Sequence, residues 1–153
     1  TTNKCQGQGN QKWSRYKPIP AAGVPEAAHN AMITPKSVPG KCLDVESRLN
    51  SLITWDCHGQ SNQRLSFTWG EQTQIRVKNG CLVPDDAHAR KSTVSLQRCE
   101  QNRKTKIWIA GSDGSIRNVY GACLEVDGSG LKNGTRVITN TCSNKPNQRF
   151  YPR

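Results

Sequence analysis

Hydrophobic side chains along this chain come in short stretches, each about four to six residues long and rich in Val, Ile, Thr and aromatic residues. Clusters of Gly, Asn, Asp and Ser separate the stretches, for example at residues 78–80, 112–114 and 132–134. Such clusters favour tight turns, and no segment repeats its apolar positions with the period of a helix. The pattern therefore predicts about a dozen short β-strands joined by tight turns.

The predicted strands fall into three similar units of about 41 residues, at residues 31–72, 73–113 and 114–153. Each unit opens with an isoleucine, continues through a Cys-Leu pair, reaches a second cysteine and closes with a large apolar residue. The closing residues are Leu65, Trp108 and Phe150. This repetition predicts an all-β fold with pseudo-threefold symmetry, in which the three closing side chains belong to the core.

The cysteines change the picture of what holds the fold together, because only 33% of the residues are apolar. Six of the seven cysteines fall two to a unit, and zinc is poorly supported since there is no Cys-x-x-Cys pair and the histidines are scattered. Disulfides persist in secreted proteins and are rare in the cytosol, so we expect a secreted, extracellular chain. The simplest pairing stays within the units: Cys42 with Cys57, Cys81 with Cys99, and Cys123 with Cys142.

Three motifs in unit one carry a family resemblance: Cys-Leu-Asp-Val at residues 42–45, Trp-x-Cys at 55–57 and Asn-Gln-x-Leu at 62–65. Variants of these motifs return in register in the other two units. The combination resembles the ricin B-type, or R-type, lectin family over residues 31–153. The resemblance implies a β-trefoil fold and binding of glycans, usually galactose-type or related sugars, with no cofactor.

A sugar presents a face of C–H bonds and an edge of hydroxyl groups, so its site needs an aromatic ring, a carboxylate and an amide. Unit one offers all three, and the resemblance assigns sugar binding to them. The residues are Asp44, Trp55, Asn62 and Gln63. Alternatives stay open for each residue. Gln63 serves either as a ligand contact or as an internal hydrogen-bond partner, and Trp55 either stacks on sugar or packs internally. Asp44 either binds sugar or caps a turn, and Asn62 either binds sugar or stabilises its loop.

Units two and three keep less of this set. Unit two has Val83 in place of the aspartate and Gln97 in place of the aromatic residue, so we expect it to be structural. Unit three retains an acidic residue and two amides but no aromatic residue, which makes it a possible second sugar site. Its residues are Glu125, Asn140, Asn147 and Gln148.

The net charge of +11 raises the question of acidic partners. The densest basic stretch lies in unit two, and its residues are Arg98, Arg103, Lys104 and Lys106. This patch either is a solvated face or contacts sulfated glycan, anionic lipid or a partner subunit. Only one aromatic residue lies near it, and together with the disulfide signature this argues against nucleic acid as a partner.

Residues 5–13, CQGQGNQKW, repeat the frame that elsewhere closes a unit. We therefore expect residues 1–30 to be the tail of an upstream trefoil unit followed by a linker rich in Pro and Ala. Cys5 would then pair with a cysteine outside this chain, in an upstream domain or another chain. This arrangement predicts that residues 31–153 are the glycan-attachment module of a larger secreted toxin or adhesin.

Two other functions are open at this point. One is a trefoil with degenerate sugar sites that binds proteins or polyanions, and the other is a polysaccharide-binding module of a secreted hydrolase. We find no Gly-x-Ser-x-Gly, His-Glu-x-x-His or phosphate-binding loop, so we expect no catalytic role for this chain and no metal site. No apolar run approaches the length of a transmembrane segment. A catalytic domain elsewhere in the full protein stays open.

Overall fold

A computed structural model describes residues 27–100 and 104–153. Short strands dominate it, as the apolar stretches predict, and two 3₁₀ turns lie at Ser61–Gln63 and Pro146–Gln148. Unit one and the segment before it contain β1 (Ala27–Ala31), β2 (Ile33–Pro35), β3 (Lys41–Val45), β4 (Leu52–Asp56) and β5 (Leu65–Thr68). The second group is β6 (Gln72–Thr73), β7 (Arg76–Val77), β8 (Gly80–Pro84), β9 (Ser92–Gln97) and β10 (Trp108–Ala110). Unit three contains β11 (Ile116–Asn118), β12 (Ala122–Val126), β13 (Thr135–Thr141) and β14 (Phe150–Pro152).

The last strand of each unit pairs with a strand near the start of the following unit, and unit three pairs back with unit one. These pairings close a barrel. Strand β5 pairs with β7, β10 pairs with β11, and β14 returns to pair with β2. All three pairings are antiparallel.

The two middle strands of each unit form a hairpin: β3 with β4, β8 with β9, and β12 with β13. The second strands of these hairpins meet one another through the pairs Thr54–Thr135, Ser92–Thr139 and Ser51–Ser95. A closed barrel with three hairpins that meet around one axis is a β-trefoil. The predicted all-β fold and its pseudo-threefold symmetry are therefore confirmed.

The core repeats the same three positions from each unit. Every one of these nine side chains is at most 1% exposed. They are Ile33, Ile75 and Ile116, then Leu43, Leu82 and Leu124, and then Leu65, Trp108 and Phe150. The Trp108 indole N–H donates a hydrogen bond of 2.7 Å to the Leu82 carbonyl, so the largest core side chain is also satisfied in its polar atom. The closing residues lie in the core as the repeat predicts.

The three disulfides lie within the units, as predicted, and each ties the first strand of a hairpin to the segment that follows its second strand. They join cysteines 15, 18 and 19 residues apart: Cys42 with Cys57, Cys81 with Cys99, and Cys123 with Cys142. In the chain-entropy model a loop of this length contributes about 3 kcal/mol to stability.

Strand β1 crosses the predicted boundary between residues 30 and 31 and pairs with β5, with Ala31 opposite Leu65. Residues 27–30 therefore pack with the trefoil. The predicted upstream segment and Cys5 lie outside the described residues, and so does Arg103 of the basic patch. No helix in the described part of the chain is long and apolar enough to cross a membrane.

Candidate functional site

The hairpin of unit one places the acidic and the aromatic candidate on one face. Asp44 pairs with Ile53 across the hairpin, and Trp55 lies two residues further along β4. Residues at such diagonal positions project from the same side of a sheet because side chains alternate along a strand. Asp44 is 4% exposed, whereas Trp55 is 41% exposed. The site thus combines a sheltered carboxylate with an indole ring that is open to solvent.

The Asp44 carboxylate is fixed by its neighbours. Its Oδ1 accepts a hydrogen bond of 2.8 Å from Asn62 Nδ2, and its Oδ2 accepts one of 2.8 Å from Gln63 Nε2. His58 Nε2 lies 3.4 Å from the same Oδ2. A carboxylate offers about four acceptor positions, so these contacts orient Asp44 and leave it able to accept further hydrogen bonds.

Gln63 is fully buried, at 0% exposure. Its amide nitrogen donates to Asp44 Oδ2 and to the Asp56 carbonyl, and its amide oxygen accepts from the backbone N–H groups of His58 and Gly59. These four bonds employ the full hydrogen-bonding capacity of the amide. In this structure Gln63 therefore holds the carboxylate in place, while Asn62 is only partly buried. The Asn62 Oδ1 atom has no hydrogen-bond partner among the described residues.

The loop of unit three contacts unit one through Asn133, and no sequence motif predicts this contact. Asn133 Oδ1 accepts hydrogen bonds from Lys41 Nζ and from the Asp56 backbone N–H, at 2.9 and 2.8 Å. Asn133 Nδ2 donates to Asp56 Oδ2 at 3.0 Å, and Lys41 Nζ donates to Asp56 Oδ1 at 2.8 Å. A Cβ added to Gly134 would lie 3.9 Å from Trp55 Cζ3. The loop of unit three thus lies against the hairpin of unit one, with Gly134 next to Trp55.

The hydrogen bond from Lys41 and the second one from Asn133 lower the pKa of Asp56 below its ordinary value of 3.8. A carboxyl group with a lowered pKa stabilises the folded state above its unfolded pKa, and this contribution is lost as the pH falls through the folded pKa. The link between units one and three is therefore intact at neutral pH, because Asp56 is charged there.

Unit three brings its four predicted residues together on a similar frame. Glu125 accepts hydrogen bonds from Asn140 Nδ2 at 3.2 Å and from Gln148 Nε2 at 2.8 Å. Gln148 is fully buried, and its amide oxygen accepts from the Ser143 backbone N–H. Asn147 Nδ2 donates to the Val126 carbonyl. The carboxylate and amides are present, but an asparagine occupies the position that Trp55 holds in unit one.

Unit two has no such frame, since Val83 is buried where the other units carry an acid. The basic residues Arg98, Lys104 and Lys106 are all exposed. Lys106 also borders a groove of about 450 Å³, but Glu71 and Glu100 line this groove as well. The groove is therefore of mixed charge, and polyanion binding by the predicted basic patch stays a prediction. In the described residues no group of His, Cys, Asp and Glu has the arrangement of a metal site.

Comparison with known proteins places this geometry in a family. The model of the ricin-type β-trefoil lectin domain matches residues 30–150. A sequence search of curated proteins gives no significant match.

Solved structures share the fold at low sequence identity. The designed threefold-symmetric protein ThreeFoil superposes with a TM-score of 0.66 at 20% identity, covering 80% of this chain and 96% of its own. A mosquitocidal holotoxin gives a TM-score of 0.67 at 18% identity, covering 81% of this chain and 16% of its own. A non-toxic homologue of type II RIPs from Momordica charantia (bitter gourd), solved with α-methyl-D-galactoside, gives 0.66 at 21% identity. That superposition covers 84% of this chain and 48% of the gourd protein, so this chain spans about half of it.

The trefoil architecture, the three in-register disulfide units and a family match over most of the chain agree with one another. The chain belongs to the ricin-type β-trefoil lectin domain family.

Proposed function

We propose that this chain is a carbohydrate-binding module that takes up galactose-type sugars at unit one. The observation that carries the proposal is the half-exposed Trp55 ring on the same face of a hairpin as Asp44, whose carboxylate is held by Asn62 and Gln63. With the indole ring 41% exposed, its apolar face is accessible to a ligand.

The contacts follow from the chemistry of a pyranose. Its apolar C–H face packs on the Trp55 ring, and two vicinal hydroxyl groups donate to the Asp44 carboxylate. The Asn62 Oδ1 atom accepts from a third hydroxyl group. Gln63 acts indirectly, because its amide fixes the carboxylate that receives the hydroxyl protons. Galactose-type specificity is supported by the galactoside in the bitter gourd relative.

Unit three is a candidate for a second and weaker site. Glu125, Asn140, Asn147 and Gln148 reproduce the polar frame of unit one, and the stacking ring is missing. Since aromatic contacts supply much of the apolar area in sugar sites, we expect this unit to contribute little affinity alone.

Calorimetric titration with lactose tests the unit-one site. A single shallow sugar site of this kind binds with a Kd of about 1 mM. Trp55→Ala removes the stacking surface, so the affinity should fall more than tenfold. The matched control is Val119→Ala, which removes another exposed apolar side chain, 36% exposed, at the turn between β11 and β12. Equal loss in both variants, or no loss in Trp55→Ala, would refute the assignment.

We further propose that the module attaches a larger secreted toxin or adhesin to cell-surface glycans. Three disulfides are typical of oxidising compartments, and the part of a mosquitocidal holotoxin that superposes on this chain covers 16% of the holotoxin chain. Binding of the fluorescently labelled chain to intact cells tests this role. Free lactose at concentrations well above its Kd should displace the chain, and binding that lactose leaves unchanged would argue against attachment through unit one.

A further inference from the structure

A hollow of about 180 Å³ lies between units two and three, away from the Asp44 and Trp55 site. The loop between β8 and β9 forms one wall, and the turn between β11 and β12 forms the other. Its lining residues include Ala87, His88, Arg90, Tyr120, Ala122 and Thr141.

Both walls of the hollow are fixed by hydrogen bonds. Asp86 Oδ1 accepts from two backbone N–H groups of its own loop, at 3.1 and 3.2 Å. Asn118 Oδ1 accepts from two backbone N–H groups of the opposite turn, at 2.9 and 3.3 Å. Asn118 Nδ2 also reaches across to the Ala87 carbonyl at 3.3 Å. The hollow is therefore largely preformed, which lowers the entropic cost of ligand binding.

The pseudo-symmetry explains why a hollow exists here. The equivalent boundary between units three and one is filled by the cluster of Lys41, Asp56 and Asn133. The strand pair Thr54–Thr135, which joins units one and three, is equivalent to the pair Thr139–Ser92, which joins units three and two. Each residue of that cluster therefore has an equivalent residue at the boundary between units two and three. Ala122 occupies the position equivalent to Lys41, Thr141 the position equivalent to Asp56, and Arg90 the position equivalent to Asn133. Two smaller side chains thus open the space, and an arginine stands at its edge.

The chemistry of the hollow combines a cation with an exposed ring. Arg90 is exposed, and its guanidinium makes no ion pair or hydrogen bond within the part of the chain that the structure describes. Tyr120 is 54% exposed, and its ring centroid lies 4.0 Å from that of His88. The two nearby carboxylates accept hydrogen bonds from other groups: Asp86 Oδ1 from the backbone of its own loop, and Asp85 Oδ2 from Thr93 Oγ1.

We propose that this hollow binds an acidic sugar residue, one that carries a carboxylate or a sulfate. The planar guanidinium of Arg90 matches an anionic group with two oxygens through paired hydrogen bonds. The Tyr120 ring takes the apolar face of the sugar, and the Thr141 hydroxyl is placed to hydrogen-bond a ring substituent. The site is separate from unit one and does not depend on the proposed function of that unit.

NMR titration in a Trp55→Ala background tests the proposal, since this background removes the unit-one ring. The probes are the methyl α-glycoside of N-acetylneuraminic acid, methyl galactoside 3-sulfate and neutral methyl β-galactoside. Either acidic probe should shift the backbone signals of residues 86–91 and 118–122, while the neutral probe should not. A response to one acidic probe alone identifies whether the ligand source is carboxylated or sulfated. If neither acidic probe shifts these signals, the proposal is overturned.

Two charge-matched variants separate local recognition from general attraction. Arg90→Gln should weaken binding of the acidic probe at least tenfold. Arg117→Gln removes one positive charge from an exposed position on β11 and should change the affinity less than twofold. Tyr120→Ala should also weaken binding, and Tyr120→Phe should restore most of it because the ring is retained. Equal losses in the two arginine variants would show that only the net charge matters, and would contradict the site.

Discussion

Reduction of the three disulfides is expected to unfold the trefoil at physiological temperature. Each closed loop contributes about 3 kcal/mol in the chain-entropy model, so the three together contribute about 9 kcal/mol. Native domains are stable by about 5–15 kcal/mol in total. With 33% apolar residues, this chain has a small core to compensate for such a loss. Circular dichroism in increasing urea, with and without a reducing agent, measures the difference.

A single-disulfide variant refines this experiment. Replacing Cys81 and Cys99 together by serine should lower the free energy of unfolding by about 3 kcal/mol and leave a folded protein. Unit two carries none of the proposed sugar contacts, so lactose affinity should be unchanged in this variant. Identical urea midpoints for the oxidised and reduced wild-type chain would show that the core alone maintains the fold.

Replacing Asp44 by alanine is expected to have the largest effect on binding. The change removes the acceptor of two sugar hydroxyl groups, so lactose affinity should fall more than tenfold. The change also removes one of the two hydrogen-bond acceptors of Gln63 Nε2, which is fully buried. Leaving buried donors short of partners costs about 1–3 kcal/mol. Calorimetric titration and urea unfolding measure the two effects separately.

Unit three supplies the matched control for this change. Glu125 accepts from the buried Gln148 Nε2 at 2.8 Å, as Asp44 does from Gln63. Glu125→Ala should therefore reduce stability to a similar extent and leave lactose affinity at unit one unchanged. If both variants lose lactose affinity equally, the loss reflects weakened folding and the role of Asp44 as a sugar ligand is contradicted.

The repeat in the sequence predicted an all-β fold with pseudo-threefold symmetry, and the family resemblance added the β-trefoil. The opening isoleucines, the Cys-Leu leucines and the closing residues each occupy equivalent buried positions, and the two cysteines of each unit pair with each other. Asp44 and Trp55 lie in one hairpin, and their role in sugar binding stays a prediction. Their spacing relative to the cysteines determines that they share a face.

The pattern of residues could not settle how the amides are used. Gln63 follows Asn62 in the sequence, yet Gln63 is fully buried and Asn62 is not. The 3₁₀ turn at Ser61–Gln63 turns one amide toward the core and the other toward the rim. This distinction depends on backbone geometry that a short polar stretch does not specify.

Contacts between units could not be predicted from the sequence for a different reason. Asp56 and Asn133 are 77 residues apart, and no local motif joins them. Arg90 and Tyr120 likewise line one hollow only because the loop of one unit packs against the first turn of the next. In a pseudo-symmetric fold the units resemble one another in their cores, while their boundaries carry independent side chains. Such boundaries give one trefoil surfaces of different chemistry.

The most direct test of the central claim is a map of where lactose binds. In a ¹⁵N-labelled chain, lactose should shift the indole N–H signal of Trp55 and the side-chain amide signal of Asn62. The indole signal of Trp108 should stay in place because that side chain is buried in the core. Shifts confined to Trp55, Asn62 and their neighbours would establish the unit-one site. Shifts that leave Trp55 unaffected, or no shifts at millimolar lactose, would contradict it.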